Sequence, residues 1–356
     1  MNSNRLDMLR ARMGAAAVDG FFSVFPGDCR YLSGFTGDTG AVVVTRTEAF
    51  FLCDGRFTEQ AHAEVTGFEI REVRGNLLVR LGELLEDRAC QDAAFDPTTL
   101  TVAQQTDVRQ AFTGTMIPNA DLMSSLRMVK SAEEVELIRA ASNIAEGALE
   151  DVVAGLRPGM TEQEVAARLE FEFRMRGASG PSFDTIVLFG PRSSLPHGQP
   201  GPTPLHSGDI VLIDLGCRRK GYCSDLTRTF AYDTIPDSWF DEIYAVVLKA
   251  QEAALDAVRP GARCAELDAI ARTVIADAGY AKQFGHGLGH GVGIEIHEAP
   301  RVNSESDTEL APGMVITIEP GIYLAGRGGV RIEDLVVVTN DGCNVLTNSS
   351  KQLRIL

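Results

Sequence analysis

The chain has 356 residues, 44% hydrophobic and 23% charged; single cores usually stop growing near about 250–300 residues, so this is the composition of a globular protein with two domains, not of a disordered or fibrous one. Forty-nine acidic residues against 33 basic ones give a formal charge of −16, which argues against nucleic acid or an anionic membrane as partner. The first twenty residues have no apolar core of signal-peptide length, nothing later approaches about 18 uninterrupted apolar residues, and seven cysteines form no paired framework, so a reducing, cytoplasmic location is expected.

In chain order, "FFSVF", "AVVVT", "AFFLCD" and "FEIREV" read as strands, separated by the turn-like "PGD" and "TGDTG" and by helical stretches such as Leu77 to Asp87. They define an α/β domain over residues 1–128. Ser131 and Glu134 then have the spacing of a capping box at the head of a long amphipathic helix, so a second domain is expected over residues 129–356. Inside it, Arg157-Pro158-Gly159 returns as Arg259-Pro260-Gly261, an offset of 102 residues. Each copy leads into an acidic amphipathic helix that reaches a glycine, Gly177 or Gly279, with Glu164 and Glu266 in equivalent places. The echo points to pseudo-symmetric halves meeting at a crevice, where ligand sites tend to lie.

The stretch "IDLGCRRKGYCSDLTRTF" follows the first of these helix pairs. Read as a hairpin with a four-residue loop, Arg218 to Gly221, it sets Asp214 directly opposite Asp225, where Cβ atoms lie roughly 4.5–5.5 Å apart and like charges repel. A basic side chain, a shared proton or a divalent cation could offset that repulsion. Cys217 and Cys223 flank the turn, but two thiols without a second pair make a poor zinc site, and packing is the better reading.

Three of the six histidines, His286, His290 and His297, fall within "FGHGLGHGVGIEIHE". The helix signature HExxH is absent, and the interleaved glycines would each cost a helix about 1 kcal/mol, so this is a loop entering a strand. Neither GxGxxG nor a GK[ST] ending is present, which disfavours a phosphate cradle. His290 and His297 are an odd number of residues apart, so a regular strand would send them to opposite faces. To reach one site they need a bend at Gly291 and Gly293.

The last strands, "GMVITIEPGIY" and "GGVRIEDLVVVT", put Glu319 and Glu333 in apolar, β-branched company, where glutamate is rare unless paired. Arg331 and Arg228 are the basic residues nearby, too few for four buried carboxylates. Two divalent cations would neutralise them with charge to spare. Singly, each of the five residues reads as a strand-end carboxylate or a core histidine; together, in this order, they favour a metal centre. Oxygen-rich ligation with one imidazole suits Mn²⁺, Co²⁺ or Zn²⁺.

With these residues in place the chain resembles the pita-bread metallopeptidases: aminopeptidase P, prolidase and methionine aminopeptidase. The likeness covers nearly the whole chain. It is carried by "PSFDTIVLFG", "LPHG", "DIVLIDLGC", "YCSDLTRTF", "GHGLGHGVGIEIHE", "GMVITIEPGIY" and "VRIED" in the C-terminal domain, and by "YLSGFTGDTG" and "DGRFTEQA" in the N-terminal one. The latter resemble the proline-specific branch, because methionine aminopeptidases lack such a domain.

The resemblance implies an α+β fold, a pita-bread (creatinase/aminopeptidase-like) catalytic domain with pseudo-symmetric halves, preceded by the smaller α/β domain. It implies that Asp214, Asp225, His290, Glu319 and Glu333 hold two divalent ions, Mn²⁺ first and Co²⁺ or Zn²⁺ as alternatives, with Asp225 and Glu333 bridging. His197 in "LPHG" and His297 match substrate-contacting histidines. Glu319 is assigned the proton shuttle, and Arg331, two residues before Glu333 on the same strand face, completes the catalytic set as an orienting group. Arg192 stands where a neutral residue is more common, which bears on substrate preference.

The expected function is that of a dinuclear exopeptidase releasing the N-terminal residue from Xaa-Pro peptides, acting as a homodimer. The "GFTG" motif and the N-terminal domain look closer to aminopeptidase P than to a strict dipeptidase. The alternatives are a family member acting on another amide or C–N bond and a non-catalytic peptide-binding module; the intact ligand set argues against the latter.

Overall fold

Apolar, β-prone runs separated by short helices build the first of two units, which ends at Arg127; the structure, a computed structural model, describes residues 2–356. Its strands are β1 (Gly20–Ser23), β2 (Ala41–Thr45), β3 (Ala49–Cys53), β4 (Glu69–Glu72), β5 (Asp92–Phe95) and β6 (Thr115–Pro118). Between and around them lie α1 (Asn2–Ala15), α2 (Pro26–Ser33), α3 (Thr58–Glu64), α4 (Leu77–Asp87), α5 (Val102–Arg109) and α6 (Asp121–Met128). They form one sheet in the order β4-β3-β2-β1-β5-β6. β1, β2 and β3 are buried at every position, as strands covered on both faces should be. "PGD", expected as a turn, is instead the first turn of α2: Pro26 occupies the start of the helix, where its missing N–H is no loss.

The second unit runs from Met128 to Leu356. It opens with α7 (Ala132–Ala154), capped as its sequence predicts: Ser131 Oγ accepts the Glu134 N–H, and the Glu134 carboxylate accepts the Ser131 N–H at 2.8 Å. There follow α8 (Glu162–Met175), β7 (Gly180–Pro181), β8 (Ile186–Phe189), β9 (Ile210–Leu215), β10 (Cys217–Arg219), β11 (Tyr222–Cys223) and β12 (Leu226–Ala231). The remainder is α9 (Ser238–Ala257), α10 (Cys264–Asp277), β13 (Gly289–Gly291), β14 (Glu298–Val302), β15 (Val315–Ile318), β16 (Gly321–Leu324), β17 (Gly328–Arg331), β18 (Asp334–Val338) and β19 (Cys343–Val345). Among the described residues no helix is long and apolar enough to cross a membrane.

The 102-residue echo is matched in the backbone. Gly159 (φ +84°) and Gly261 (φ +79°) share a left-handed conformation, as do Gly177 and Gly279, both at φ +90°, which is why glycine recurs there. Gly159 donates its N–H to Leu205 and Gly261 to Leu310, both at 2.9 Å. The return bonds, Leu205 N–H to Met160 and Leu310 N–H to Ala262, are both 2.8 Å. Each helix pair also packs on its own strands. Leu149, Leu169 and Phe173 bury against Val187, Val211 and Ile213 in one core, and Phe240, Val247 and Leu267 against Ile316 and Val336 in the other.

The hairpin between the halves departs from the sequence expectation. β9 pairs with β12 with Asp214 opposite Thr227, and β10 with β11 with Arg219 opposite Tyr222. The loop is therefore only Lys220 and Gly221, at φ +46° and +83°, a primed two-residue turn whose twist suits antiparallel strands. Asp225, two positions before Thr227, shares a face with Asp214 but lies diagonal to it rather than opposite.

Candidate metal centre

The directly opposed carboxylates are the glutamates. The ladders β15–β18 and β16–β17 keep one register, with Ile318 opposite Asp334 and Gly321 opposite Arg331, so Glu319 and Glu333 face each other where Pro320 interrupts the pairing. His290 comes from β13, whose pairing with β14 slips between His290, opposite Arg301, and Gly291, opposite Glu298. His290 and His297 do not share a strand: β13 ends at Gly291 and the chain reverses through residues 292–297 into the antiparallel β14, so their rings lie 4.4 Å apart between centroids. Glycine is needed on this strand because a Cβ at Gly289 would lie 2.1 Å from the Thr317 carbonyl oxygen and one at Gly291 2.2 Å from that of Ala299.

Asp225, His290 and Glu333 each bring one potential ligand atom within 4.8 Å of the others. His290 Nε2 lies 3.5 Å from Asp225 Oδ2 and 3.4 Å from Glu319 Oε1. Its Nδ1 lies 3.0 Å from the Gly291 carbonyl oxygen. A carbonyl only accepts, so Nδ1 carries the proton and the neutral ring turns the Nε2 lone pair toward the carboxylates, as metal-binding histidines do.

Burial, followed by the charges of Glu333, Asp214 and Glu319, pushes the Asp225 carboxyl well above the usual range. Burial, with Glu319 and Asp214, does the same to Glu333. Glu319 is pushed up to about 7, chiefly by burial and against the pull of Arg331. Asp214 is partnered on one side only: Arg331 Nη2 donates to Oδ2 at 2.6 Å, while Oδ1 is buried without a partner. One guanidinium on one carboxylate leaves three acids that favour protonation in place of ionisation. An orphaned buried oxygen, opposed carboxylates and a bare imidazole nitrogen fit a divalent cation.

The other basic candidate, Arg228, is engaged elsewhere. It donates to Asp334 Oδ1 at 2.7 Å and to the carbonyls of Thr227, Glu333, Ser349 and Ser350. Cys217 and Cys223 are buried packing residues. Burial pushes the Cys217 thiol up to about 12, and its Sγ lies 3.2 Å from the Ala141 carbonyl oxygen.

Several supporting residues were not evident in the sequence. Thr227 Oγ1 donates to Glu333 Oε2 at 2.6 Å and accepts from Arg331 Nε at 3.0 Å. Thr317 Oγ1 donates to Glu319 Oε1 at 3.1 Å and accepts the His290 N–H at 3.0 Å. Their one signal is spacing, two residues from Asp225 and Glu319 and hence on the same strand face. Tyr323 Oη accepts from Arg331 Nη1 at 2.8 Å and donates to His286 Nε2 at 3.0 Å. Burial holds His286 down to about 4 and Tyr323 up to about 12. His197 is exposed, one residue after Pro196, whose carbonyl accepts from Arg331 Nη1 at 3.3 Å. Arg192 is turned toward Glu162, at 3.0 Å.

The model of metallopeptidase family M24 matches residues 136–340, and that of the creatinase/prolidase N-terminal domain matches residues 5–129. The chain is 46% identical to the Xaa-Pro dipeptidase of Pyrococcus furiosus over 233 residues, 65% of this chain and 67% of that one. Among solved structures it is similar to the Xaa-Pro dipeptidase from Bacillus anthracis, with a TM-score of 0.97 and 39% identity over all of both chains. It is also similar to the X-Pro aminopeptidase from Thermotoga maritima MSB8, with a TM-score of 0.90 and 36% identity over 97% of this chain and 100% of that one. Two pseudo-symmetric halves that follow an α/β domain in the chain, with carboxylates and an imidazole converging at strand ends, define a metal-dependent hydrolase of the pita-bread fold. The chain belongs to metallopeptidase family M24.

Proposed function

We propose that this metallopeptidase is a dinuclear exopeptidase that releases the N-terminal residue from Xaa-Pro peptides. The observation that carries the reading is the convergence of Asp225, His290 and Glu333 within 4.8 Å, with Glu319 at 3.4 Å from the same imidazole nitrogen. In this reading Asp214, Asp225, His290, Glu319 and Glu333 would hold two divalent ions, Mn²⁺ first and Co²⁺ or Zn²⁺ as alternatives. Bound there, such a pair supplies the charge that activates a water and polarises the scissile carbonyl.

The chain's own groups do the rest. Glu319, fixed by the Thr317 hydroxyl, takes the proton of the attacking water and returns it to the leaving nitrogen, which in an Xaa-Pro bond is the ring nitrogen of a tertiary amide. His197 and His297 donate to the carbonyl oxygen as it gains charge. The free amine of the substrate would be held at the metal pair or by Asp214, which would confine cleavage to the first bond. Arg331 orients the site by gripping Asp214 and Thr227 together.

The "GFTG" motif leans toward longer peptides, but the names of the relatives bring dipeptides forward, and we place Xaa-Pro dipeptides first. Seven free thiols support a reducing compartment, the cytoplasm, and the homodimer belongs to the same proposal, with sedimentation velocity as its check. The test of function compares Mn²⁺-loaded protein on Ala-Pro, Ala-Ala, Ala-Pro-Ala and Ala-Ala-Ala. Proline at the second position is expected to raise the specificity constant roughly 10–200-fold, the scale on which an apolar pocket discriminates. Equal rates with proline and alanine would contradict the proline reading, and faster cleavage of Ala-Pro-Ala than of Ala-Pro would make the protein an aminopeptidase.

A further inference from the structure

The loop that carries His197 runs from Phe189, at the end of β8, to Gly201, and one ion pair spans it. Glu162, the first residue of α8, is fully buried. Its Oε1 accepts the Phe189 N–H at 2.9 Å and its Oε2 accepts the Gly201 N–H at 2.7 Å. Arg192 Nε sits 3.0 Å from both oxygens, and Arg192 Nη2 donates to the Gln199 carbonyl at 2.7 Å. The two ends of the loop and its middle are thus tied to one carboxylate. In sequence His197 lies between two carbonyls held by arginines, Pro196 by Arg331 and Gln199 by Arg192.

The pseudo-symmetry supplies an internal control. The counterpart of Glu162, 102 residues on, is Cys264, the first residue of α10 and equally buried. Both make the same scaffold bond, Glu162 N–H to Thr203 at 3.2 Å and Cys264 N–H to Thr308 at 2.9 Å. This helix start is therefore built as well on a thiol as on a carboxylate, and the fold does not require a charge there. A buried carboxylate is unfavourable unless paired, and in this half its side-chain partners all come from residues 189–201. Arg192 was expected to bear on substrate preference; its guanidinium instead points into the protein's own loop.

We infer that Arg192, acting through Glu162 and Gln199, is a positioning residue that fixes the loop presenting His197. The inference rests on the proposed contact of His197 with substrate. Arg192→Ala is expected to lower kcat on the order of 10–100-fold, the scale for losing a partner that orients a reacting group, with KM and metal content near those of the parent. Arg192→Lys, which keeps the charge but not the fork to two acceptors, should fall between. The decisive readout is a double-mutant cycle with His197→Ala: the double variant is expected to match His197→Ala to within about twofold, the limit at which independent sites cease to be distinguishable.

Multiplied losses in the double variant would overturn the positioning role and leave that of His197 intact, and so would a parent-like kcat for Arg192→Ala. A fully active His197→Ala would instead overturn the role of His197 itself, and this inference with it. Glu162→Gln, run through the same cycle, decides the matter if Arg192→Ala does not melt cooperatively; additivity there is equally fatal.

Discussion

Thr227 joins two functions through one hydroxyl, donating to Glu333 and accepting from Arg331. Thr227→Val keeps the shape and removes both bonds, so it should retain the fold while weakening metal affinity or turnover roughly 10–100-fold, measured by metal titration and kinetics on Ala-Pro. Undiminished affinity and rate would show that Arg331 and Glu333 orient themselves. His197→Ala and His297→Ala should keep near-normal metal and lose turnover on the order of 10²-fold, the scale of one transition-state donor; metal loss in either would make that histidine a ligand.

His286 provides a pH test. Burial holds it at about 4 against an ordinary 6.5, so between those values the unfolded chain binds a proton that the folded chain does not. Its contribution to stability is present above pH 6.5 and is lost as pH falls toward 4. The melting temperature of the parent should therefore fall more steeply over that window than that of His286→Gln; parallel curves would contradict the assignment. At this scale the residues that converge within 4.8 Å, Asp225, His290 and Glu333, were legible because each is a charge or an imidazole amid apolar, β-prone residues. The threonines were not, since a threonine in a strand needs no explanation.

At the scale of elements, the register of the β9–β12 hairpin was misread by two residues for a definable reason. A two-residue slip preserves which side chains face which way, so hydrophobic alternation cannot detect it; only the turn can. Gly221 at φ +83° permits the tighter turn, and a glycine at that point in the sequence does not reveal which of the two loops is made. "PGD" failed similarly, proline being equally at home in a turn and at the start of a helix. That His290 and His297 could not share a regular strand was legible from their odd spacing, but the expected bend at Gly291 and Gly293 is instead a full reversal of the chain between β13 and β14. Gly289→Ala tests β13: its Cβ would meet the Thr317 carbonyl oxygen at 2.1 Å, forcing that strand away from β15 and His290 out of place. Loss of metal binding is expected, whereas Gly285→Ala, with nothing within 4 Å of the added atom, should behave as the parent. Equal metal affinity in the two variants would mean that the close approach of β13 does not set the position of His290.

For the whole molecule, the repeated "RPG" motif announced two halves, and matched glycine conformations and backbone bonds bear this out. What the motif could not announce is that the halves differ at matched helix starts, with Glu162 in one and Cys264 in the other. The site between the halves gathers carboxyls that burial and mutual repulsion push upward, so a cation that relieves them stabilises the folded chain by an amount that grows with the logarithm of its concentration relative to the dissociation constant. Chelation should lower the melting temperature and added Mn²⁺ should restore it in a concentration-dependent way; a melting temperature indifferent to chelator would contradict this. The most direct test of the central claim is elemental analysis of purified, active protein beside Asp225→Asn. About two divalent transition-metal ions per chain are expected in the parent, the complement of a two-metal hydrolase, with both metal and Ala-Pro hydrolysis lost in the variant; active parent protein holding no transition metal would contradict the account.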